Sequence, residues 1–553
     1  MSTRSSNPPA DVQIDNVSVI DGTGAPAYLA DVSLSGGRIA AILRVGGGEG
    51  TAPAAGAARH IDGTGLVLSP GFIDMHAHSD LQLLLTPDHY SRLSQGITTE
   101  LLGQDGLSYA PVDEPTLAGV RQKIAGWNDN PADDAVFSWR GVGEYLDRLD
   151  RGIATNAAYL IPQGTVRALV RGFGDGAASE EEILAQCALI RTALEEGAVG
   201  MSSGLTYTPG MYASTAELAR LCAVVAEYGG FYAPHHRSYG AGALEAYAEM
   251  IGLSEETGCA LHLSHATMNF APNRGRAPEL LDLIDAALDR GVDITLDTYP
   301  YLPGATTLSA ILPSWASAGG DAETMRRLRD PLTLARIREN VEIYGSDGCH
   351  GVIAEWDTIE ISGVRNPELA PLVGKTIRQI AGETGREPFA VFVDILLRDD
   401  MGTGILQHVG HEENVRTIMT HRTHTGGSDG ILVGAKPHPR AWGTFPRFLG
   451  HYVRELGLLS WEEMIHHLTG RPAARLRLDR RGLIREGYAA DLVLFDPRTI
   501  AATATFNNPR QAAAGIHTVF VNGVAAISEG EPTGALAGRA LRRTPEGTTS
   551  PHE

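Results

Sequence analysis

Residues 69–80 read SPGFIDMHAHSD, an apolar run that ends in two histidines, His76 and His78, one residue apart. In an extended strand, residues i and i+2 face the same way. Two imidazoles placed like this can converge on one ion, and neutral imidazole is a common zinc ligand. A His-x-His pair standing alone is more often the mere end of a strand. Its meaning depends on what the rest of the chain supplies.

Outward from this stretch the same design recurs. Short apolar runs that read as strands are found at 71–78, 98–106, 156–164, 198–204, 230–237, 259–267, 293–301 and 424–430. Several, such as AAYLI in the third, are apolar almost throughout, as in parallel strands buried on both faces. Between them lie helices with clear boundaries. SEEEILAQCALIRTALEEG (179–197), STAELARLCAVVAEYGG (214–230) and PELLDLIDAALDRG (278–291) have acidic starts and glycine ends, and the second carries a Ser214/Glu217 capping box. Strand and helix alternating eight times predict an α/β fold, a (β/α)8 TIM-type barrel. An open doubly wound sheet is the weaker reading, because no G-x-G-x-x-G follows the first strand.

Two regions break the alternation. The gap before the eighth strand is long enough to hold an insertion at about 303–422. The two ends of the chain alternate apolar and polar residues between Gly-rich turns, as antiparallel strands do. A small β-sandwich domain built from residues 1–68 and 481–540 is expected, with the barrel between them at 69–480. The Gly- and Ala-rich stretch 46–58 reads as an exposed loop, and 541–553 as a disordered tail.

Bulk properties narrow the function classes. A chain of 553 residues exceeds one simple core. A net charge of −21 argues against nucleic acid or an anionic membrane as partner. No apolar run reaches the roughly 18 residues of a membrane span, and the first residues lack the apolar core of a signal peptide. The four cysteines are dispersed, which fits a reducing cytoplasm.

In a barrel of this kind the C-terminal ends of the strands share one mouth, where active sites lie. Those ends carry His76 and His78, Asp105, His235 with His236 and Arg237, His265, Tyr299 and Asp429. Five metal-competent groups from four strands, with a carboxylate beside them, are the components of a metal-assisted hydrolytic site.

These motifs also carry a resemblance. PGFIDMHAHSD, SQGITTELLGQDGLSYAP, GAVGMSSGLTYTPGMYA, YGGFYAPHHR, LSHATMNFAPNRGR, LDTYPY, GGSDGILVGAKPHPRAWGTFPR and GLIREGYAADLVLFDP together resemble the amidohydrolase superfamily, and within it the N-acyl-D-amino-acid deacylases, over nearly the whole chain. The resemblance implies that His76, His78, His235 and His265 are metal ligands. It also implies that Asp429 is the carboxylate moving the proton of the attacking water. GSDG occurs at both 345–348 and 427–430, but only the second precedes KPHPRAWGTFPR, so the base falls to Asp429 and Asp347 to the insertion.

The chain departs from the family pattern at two places. Many amidohydrolases use a carboxylated lysine on the fourth strand; the only lysines here are Lys123, Lys375 and Lys436, none at an early strand end. The deacylases use a cysteine after the second strand, where this chain has Asp105, a harder ligand that bears on metal choice and number. The family's lysine after the sixth strand is Thr267 here, and PHHR replaces the usual threonine–histidine–x–arginine. Arg440, with a guanidinium suited to a carboxylate, is expected to bind substrate together with Tyr299, Arg237 and Thr267. His236 is expected to point away from His235. The reading is therefore a Zn2+-dependent hydrolase of linear N-acyl-D-amino acids, with one or two ions and other divalent metals allowed. Its small-molecule partner is an N-acylated substrate, and the insertion is placed to act as a lid. The alternatives are the same machinery on another amide (a cyclic imide, a dipeptide or a bulky N-acyl amine) or a non-catalytic scaffold.

Overall fold

The computed structural model describes residues 10–45, 57–348 and 350–552. All eight expected barrel strands are present: Phe72–Asp74, Ile97–Leu102, Asn156–Pro162, Gly200–Gly204, Phe231–His235, Ala260–Leu263, Ile294–Thr298 and His424–Gly426. Each pairs in parallel with the next. The seam between the eighth and first is joined where Met75 N–H donates to Gly426 O at 3.0 Å and Asp429 N–H donates to His76 O at 2.8 Å. The residues that complete the barrel thus lie among those that form its mouth.

The apolar strands are buried on both faces, as their composition requires. Along the third strand Tyr159 and Ile161 pack under the surrounding helices, while Ala158 and Leu160 join Leu101, Phe231 and Ala233 in the barrel interior. Helix Glu180–Glu195 has the full Ser179/Glu182 capping box. In helix Thr215–Glu227 only half of it forms. Ser214 accepts from Glu217 N–H at 3.1 Å, but the Glu217 carboxylate turns inward to a buried ion pair with Arg167.

The insertion begins at strand Gly304–Thr307, which joins Gly404–Gln407 and Ile359–Gly363 in an antiparallel sheet over its own core of Trp356, Phe392 and Ile405. It ends earlier than its expected bound of 422. Helix Glu412–Met419 belongs to the barrel, with Ile418 packed into the helix-side core.

Strands from both ends of the chain combine in one nine-stranded sheet, joined where Val67–Pro70 runs antiparallel to Leu492–Phe495. Leu492 and Leu494 face Ile14 and Val32; Val493 and Phe495 face Phe72, Phe445 and Phe448 of the barrel unit. The stretch expected as a loop at 46–58 falls outside the described residues except for its last two. The expected disordered tail is instead a hairpin, Leu541–Arg543 with Thr549–Pro551. Leu541 is buried in the barrel interior cluster, and Arg542 pairs with Asp147 and Asp150 at 2.7 and 2.6 Å. Composition alone could not reveal these distant partners. Among the described residues no helix is long and apolar enough to cross a membrane.

Under the mouth lies a fully buried guanidinium. Arg92 donates through Nε to Glu100 Oε1 at 3.1 Å, through Nη1 to Ala441 O at 2.9 Å, and through Nη2 to Gly430 O at 3.0 Å and Ser79 Oγ at 3.2 Å. Glu100 also accepts from Ser79 and Thr155 at 2.8 Å each and faces His89 Nε2 at 2.8 Å. Burial alone would raise the Glu100 carboxyl, but His89 and Arg92 bring it down to about 2. Its stabilising contribution is therefore full above its ordinary value of 4.5 and is lost as pH falls from there through about 2. Glu100→Gln strands the Arg92 charge and is expected to cost about 3–5 kcal/mol at pH 7. The thermal midpoints of variant and wild type should then converge below pH 4.5. Equal midpoints at pH 7 would show the pair to be idle.

Candidate metal centre

Each candidate side chain reaches the mouth from the end of its strand. His76 and His78 follow the first strand, Asp105 lies in the turn Gln104–Gly106 after the second, and His235 ends the fifth. His265 follows the sixth and Asp429 the eighth. Three of these positions lie in the left-handed backbone region: Asp105 (φ 54°), His265 (φ 32°) and Asp429 (φ 47°). Such strain is held only where the surroundings enforce it. Around Asp105 the glycines enforce it. A Cβ on Gly103 would lie 2.1 Å from Leu160 O, and one on Gly106 would lie 2.4 Å from Gly204 N.

The Asp105 carboxylate sits among the four histidines. Its Oδ1 is 3.5 Å from His76 Nε2 and 3.3 Å from His265 Nε2; its Oδ2 is 3.4 Å from His78 Nε2 and 3.5 Å from His235 Nδ1. Asp429 Oδ1 approaches His78 Nε2 at 3.2 Å and His76 Nε2 at 3.9 Å. Two groups of possible ligand atoms result, each within 4.8 Å: His76, His78, Asp105 and Asp429, and Asp105, His235 and His265. Asp105 is common to both. Both His76 ring nitrogens and Asp105 Oδ1 are buried without a hydrogen-bond partner, a costly arrangement for polar atoms that a cation would relieve. The residues fit one or two divalent ions.

The electrostatics are those of a mutually dependent cluster. Burial alone would raise Asp105, yet His76, His265 and His235 hold it well below the ordinary carboxylate range. Burial alone would lower His76, but Asp105 and Asp297 raise it well above an ordinary imidazole. Asp429 is likewise held low against burial, chiefly by Arg440. His235 is lowered, mainly by burial.

A further set of side chains orients the cluster. Asp297 Oδ2 faces His262 Nε2 at 3.0 Å and His76 Nδ1 at 3.7 Å, while its Oδ1 accepts from His265 N–H at 3.0 Å. Thr206 Oγ1 lies 2.6 Å from His235 Nε2. Asp74 accepts from the backbone N–H groups of His76 and Ser428 at 3.2 and 2.7 Å. Burial pushes its carboxyl up to about 6, against Arg92 and Ser428.

A cavity opens onto this cluster. Thr267 and Tyr299 line it, as expected. Arg440 is buried beside it with Nη2 2.9 Å from Asp429 Oδ1 and its guanidinium 4.4 Å from the Tyr299 ring centre, leaving Nε and Nη1 without partners. Arg237 does not line the cavity. It is turned away to Glu249 at 2.9 Å and to the carbonyls of Met211 and Ala213, so the structure does not bring this expected substrate-binding residue to the cavity. His236 points away from His235 into the rings of Tyr239 and Tyr247, each 4.0 Å away between centres. Asp347 stays in the insertion, accepting from Ser314 N–H at 2.9 Å. The insertion lends the cavity Gly304, Ala305, Thr306, His350, Gln407 and Val409. Asp297 was missed by sequence reasoning, though it precedes Tyr299 by two in LDTYPY and strand alternation puts both on one face.

Barrel, cluster and cavity are those of an amidohydrolase. The model of the amidohydrolase family matches residues 59–527, and the chain belongs to that family. Within it the chain stands with the D-aminoacylases. It is 35% identical to the D-aminoacylase of Alcaligenes xylosoxydans xylosoxydans over 98% of this chain and 99% of that protein. It also matches a solved structure of D-aminoacylase concerned with its binuclear metal centre, with one-metal activation and second-metal attenuation (TM-score 0.81, 35% identity, 97% of this chain and 100% of that one). The N-acyl-D-glutamate deacylase of Bordetella bronchiseptica, solved with zinc and a phosphonate mimic of the tetrahedral intermediate, matches with TM-score 0.80 at 31% identity, over 97% of this chain and 100% of that one.

Asp297→Asn removes the charge behind His76 and is expected to weaken divalent-ion binding by about 10- to 100-fold. Competition against a chromogenic chelator measures this, and unchanged affinity would show that Asp297 serves only the fold.

Proposed function

We propose that this protein hydrolyses the amide bond of N-acyl-D-amino acids, using a divalent-metal centre held by His76, His78, Asp105, His235 and His265, with Asp429 as general base and acid. The observation that carries the reading is Asp105, whose two oxygens lie within 3.5 Å of all four histidines. A carboxylate so placed would help hold one or two ions together with the four histidines. Zinc is the ion proposed, with harder divalent metals favoured more than a thiolate would allow.

A divalent ion at this centre supplies Lewis acidity, lowering the pKa of water and polarising the scissile carbonyl. The chain's own groups do the rest. Asp429, held ionised by Arg440, accepts the proton of the attacking water and returns it to the leaving amine nitrogen. Tyr299 is placed to donate to a developing oxyanion. The spare Nε and Nη1 donors of Arg440 suit the substrate carboxylate. Apart from Arg440 buried beside it, the described residues bring no lysine or arginine to this cavity, which is lined by Trp127, Tyr207, Phe270, Val409 and Ile431. This supports neutral, apolar amino-acid side chains over acidic ones. The three described cysteines are free and buried, which supports a reducing, cytoplasmic setting.

Zinc-loaded protein is expected to release amine from N-acetyl-D-phenylalanine and N-acetyl-D-leucine, but not from their L forms, and to turn over N-acetyl-D-glutamate far more slowly. Stripping the metal abolishes turnover and adding it back restores it. Turnover of the L series alone, or of acidic substrates in preference, would overturn the assignment. Asp429→Asn is expected to lower kcat by about 10²- to 10⁴-fold, with metal content determined on the same sample. Arg440→Lys is expected to raise KM about tenfold or more through loss of the bidentate fork, and an unchanged KM would exclude carboxylate binding.

A further inference from the structure

The cavity wall includes a histidine that belongs to no barrel strand. His350 comes from the insertion and packs its ring against Tyr239 and Phe270, with centres 5.6 and 5.3 Å apart. Its backbone is in the left-handed region (φ 55°), a conformation that non-glycine residues keep mainly where their surroundings enforce it. Docking of this loop onto the segment after the fifth strand is specific. His350 O accepts from Ala241 N–H at 3.0 Å and from Ser238 Oγ at 3.1 Å, and Tyr239 N–H donates to His350 Nδ1 at 3.4 Å. Close approach is possible because residue 240 is glycine: a Cβ there would lie 2.5 Å from His350 O.

This docking fixes the chemistry of the ring. With Nδ1 occupied as an acceptor, the neutral imidazole carries its proton on Nε2. Burial, with His235 and His265 nearby, pushes the ring down to about 3, so it is neutral at physiological pH. This cavity-lining ring is therefore an uncharged donor through Nε2–H. An N-acyl amino acid with an apolar side chain has acceptor oxygens in two places only, the scissile carbonyl and the α-carboxylate. The first is directed to the metal centre. Arg440 has donors for the second, but Thr267 on the adjacent wall brings no cation.

We propose that His350 is a specificity residue whose Nε2–H donates to the α-carboxylate of the substrate, so that the insertion, and not the barrel alone, reads the acid. This rests on the deacylase reading above. The test compares wild type with His350→Phe, which keeps ring packing, and His350→Gln, which restores an N–H donor at similar reach. The readouts are KM and kcat on N-acetyl-D-phenylalanine and the inhibition constant of N-acetyl-2-phenylethylamine, which lacks the carboxylate. His350→Phe is expected to raise KM about 10- to 100-fold, the range for loss of a hydrogen bond to a charged group. It should change kcat less than threefold and leave both the inhibition constant and the metal content unchanged, while His350→Gln recovers most of the KM. An unchanged KM, an equal loss for the carboxylate-free compound, or loss of metal in the Phe variant would each overturn the proposal. If wild type leaves N-acetyl-D-phenylalanine intact, the deacylase reading fails. Calorimetric binding of that compound to wild type and His350→Phe then decides His350 separately, and equal affinities or no binding to either would overturn it.

Discussion

The buried pair of Arg92 and Glu100 is the constraint on which the mouth of this barrel depends. Glu100 belongs to the second strand, and the guanidinium it neutralises reaches the carbonyls of Gly430 and Ala441. Those carbonyls adjoin Asp429 and Arg440, so one cation fixes the backbone that carries both the proposed base and its partner. A buried arginine without its carboxylate is among the more costly defects a core can contain. The pair therefore ties the stability of the core to the geometry of the chemistry. The barrel seam does the same from the other side, since Asp429 N–H donates to His76 O.

Asp105 stands among four histidines at the mouth of the barrel. A carboxylate offers two oxygens, and here each faces two imidazoles. The turn that presents it is enforced by glycines on both sides, which leave no room for a side chain. The position of Asp105 is thus set by backbone packing rather than by the side chain itself.

How far the sequence discloses all this depends on distance along the chain. The eight strands and the four histidines were legible because alternation and strand ends are local patterns, complete within about ten residues. Asp105 and Asp429 were picked out from their strand ends, but their left-handed backbones were not visible, because those arise from neighbours on other strands. Where Arg237 points was not legible, because nothing local distinguishes an arginine aimed at a cavity from one aimed at Glu249. His350 escaped notice for the same reason, its place being decided by a loop more than 100 residues earlier, with Ser238 lying 112 positions before it. The hairpin near the C-terminus, read as a tail from its polar composition, is ordered by Asp147 and Asp150 far upstream.

The sheet shared by the two ends of the chain has a consequence for how the molecule is made. Arg38 donates to Gly487 O across 449 residues of sequence. At about 5–20 residues per second, the ribosome separates those partners by roughly 20 to 90 s. Throughout that interval the early strands have an unpaired edge at Val67–Pro70, and the apolar face over Phe72, Phe445 and Phe448 awaits Val493 and Phe495. The nascent protein thus carries an open β-edge for most of its synthesis, until Leu492–Phe495 emerges to seal it.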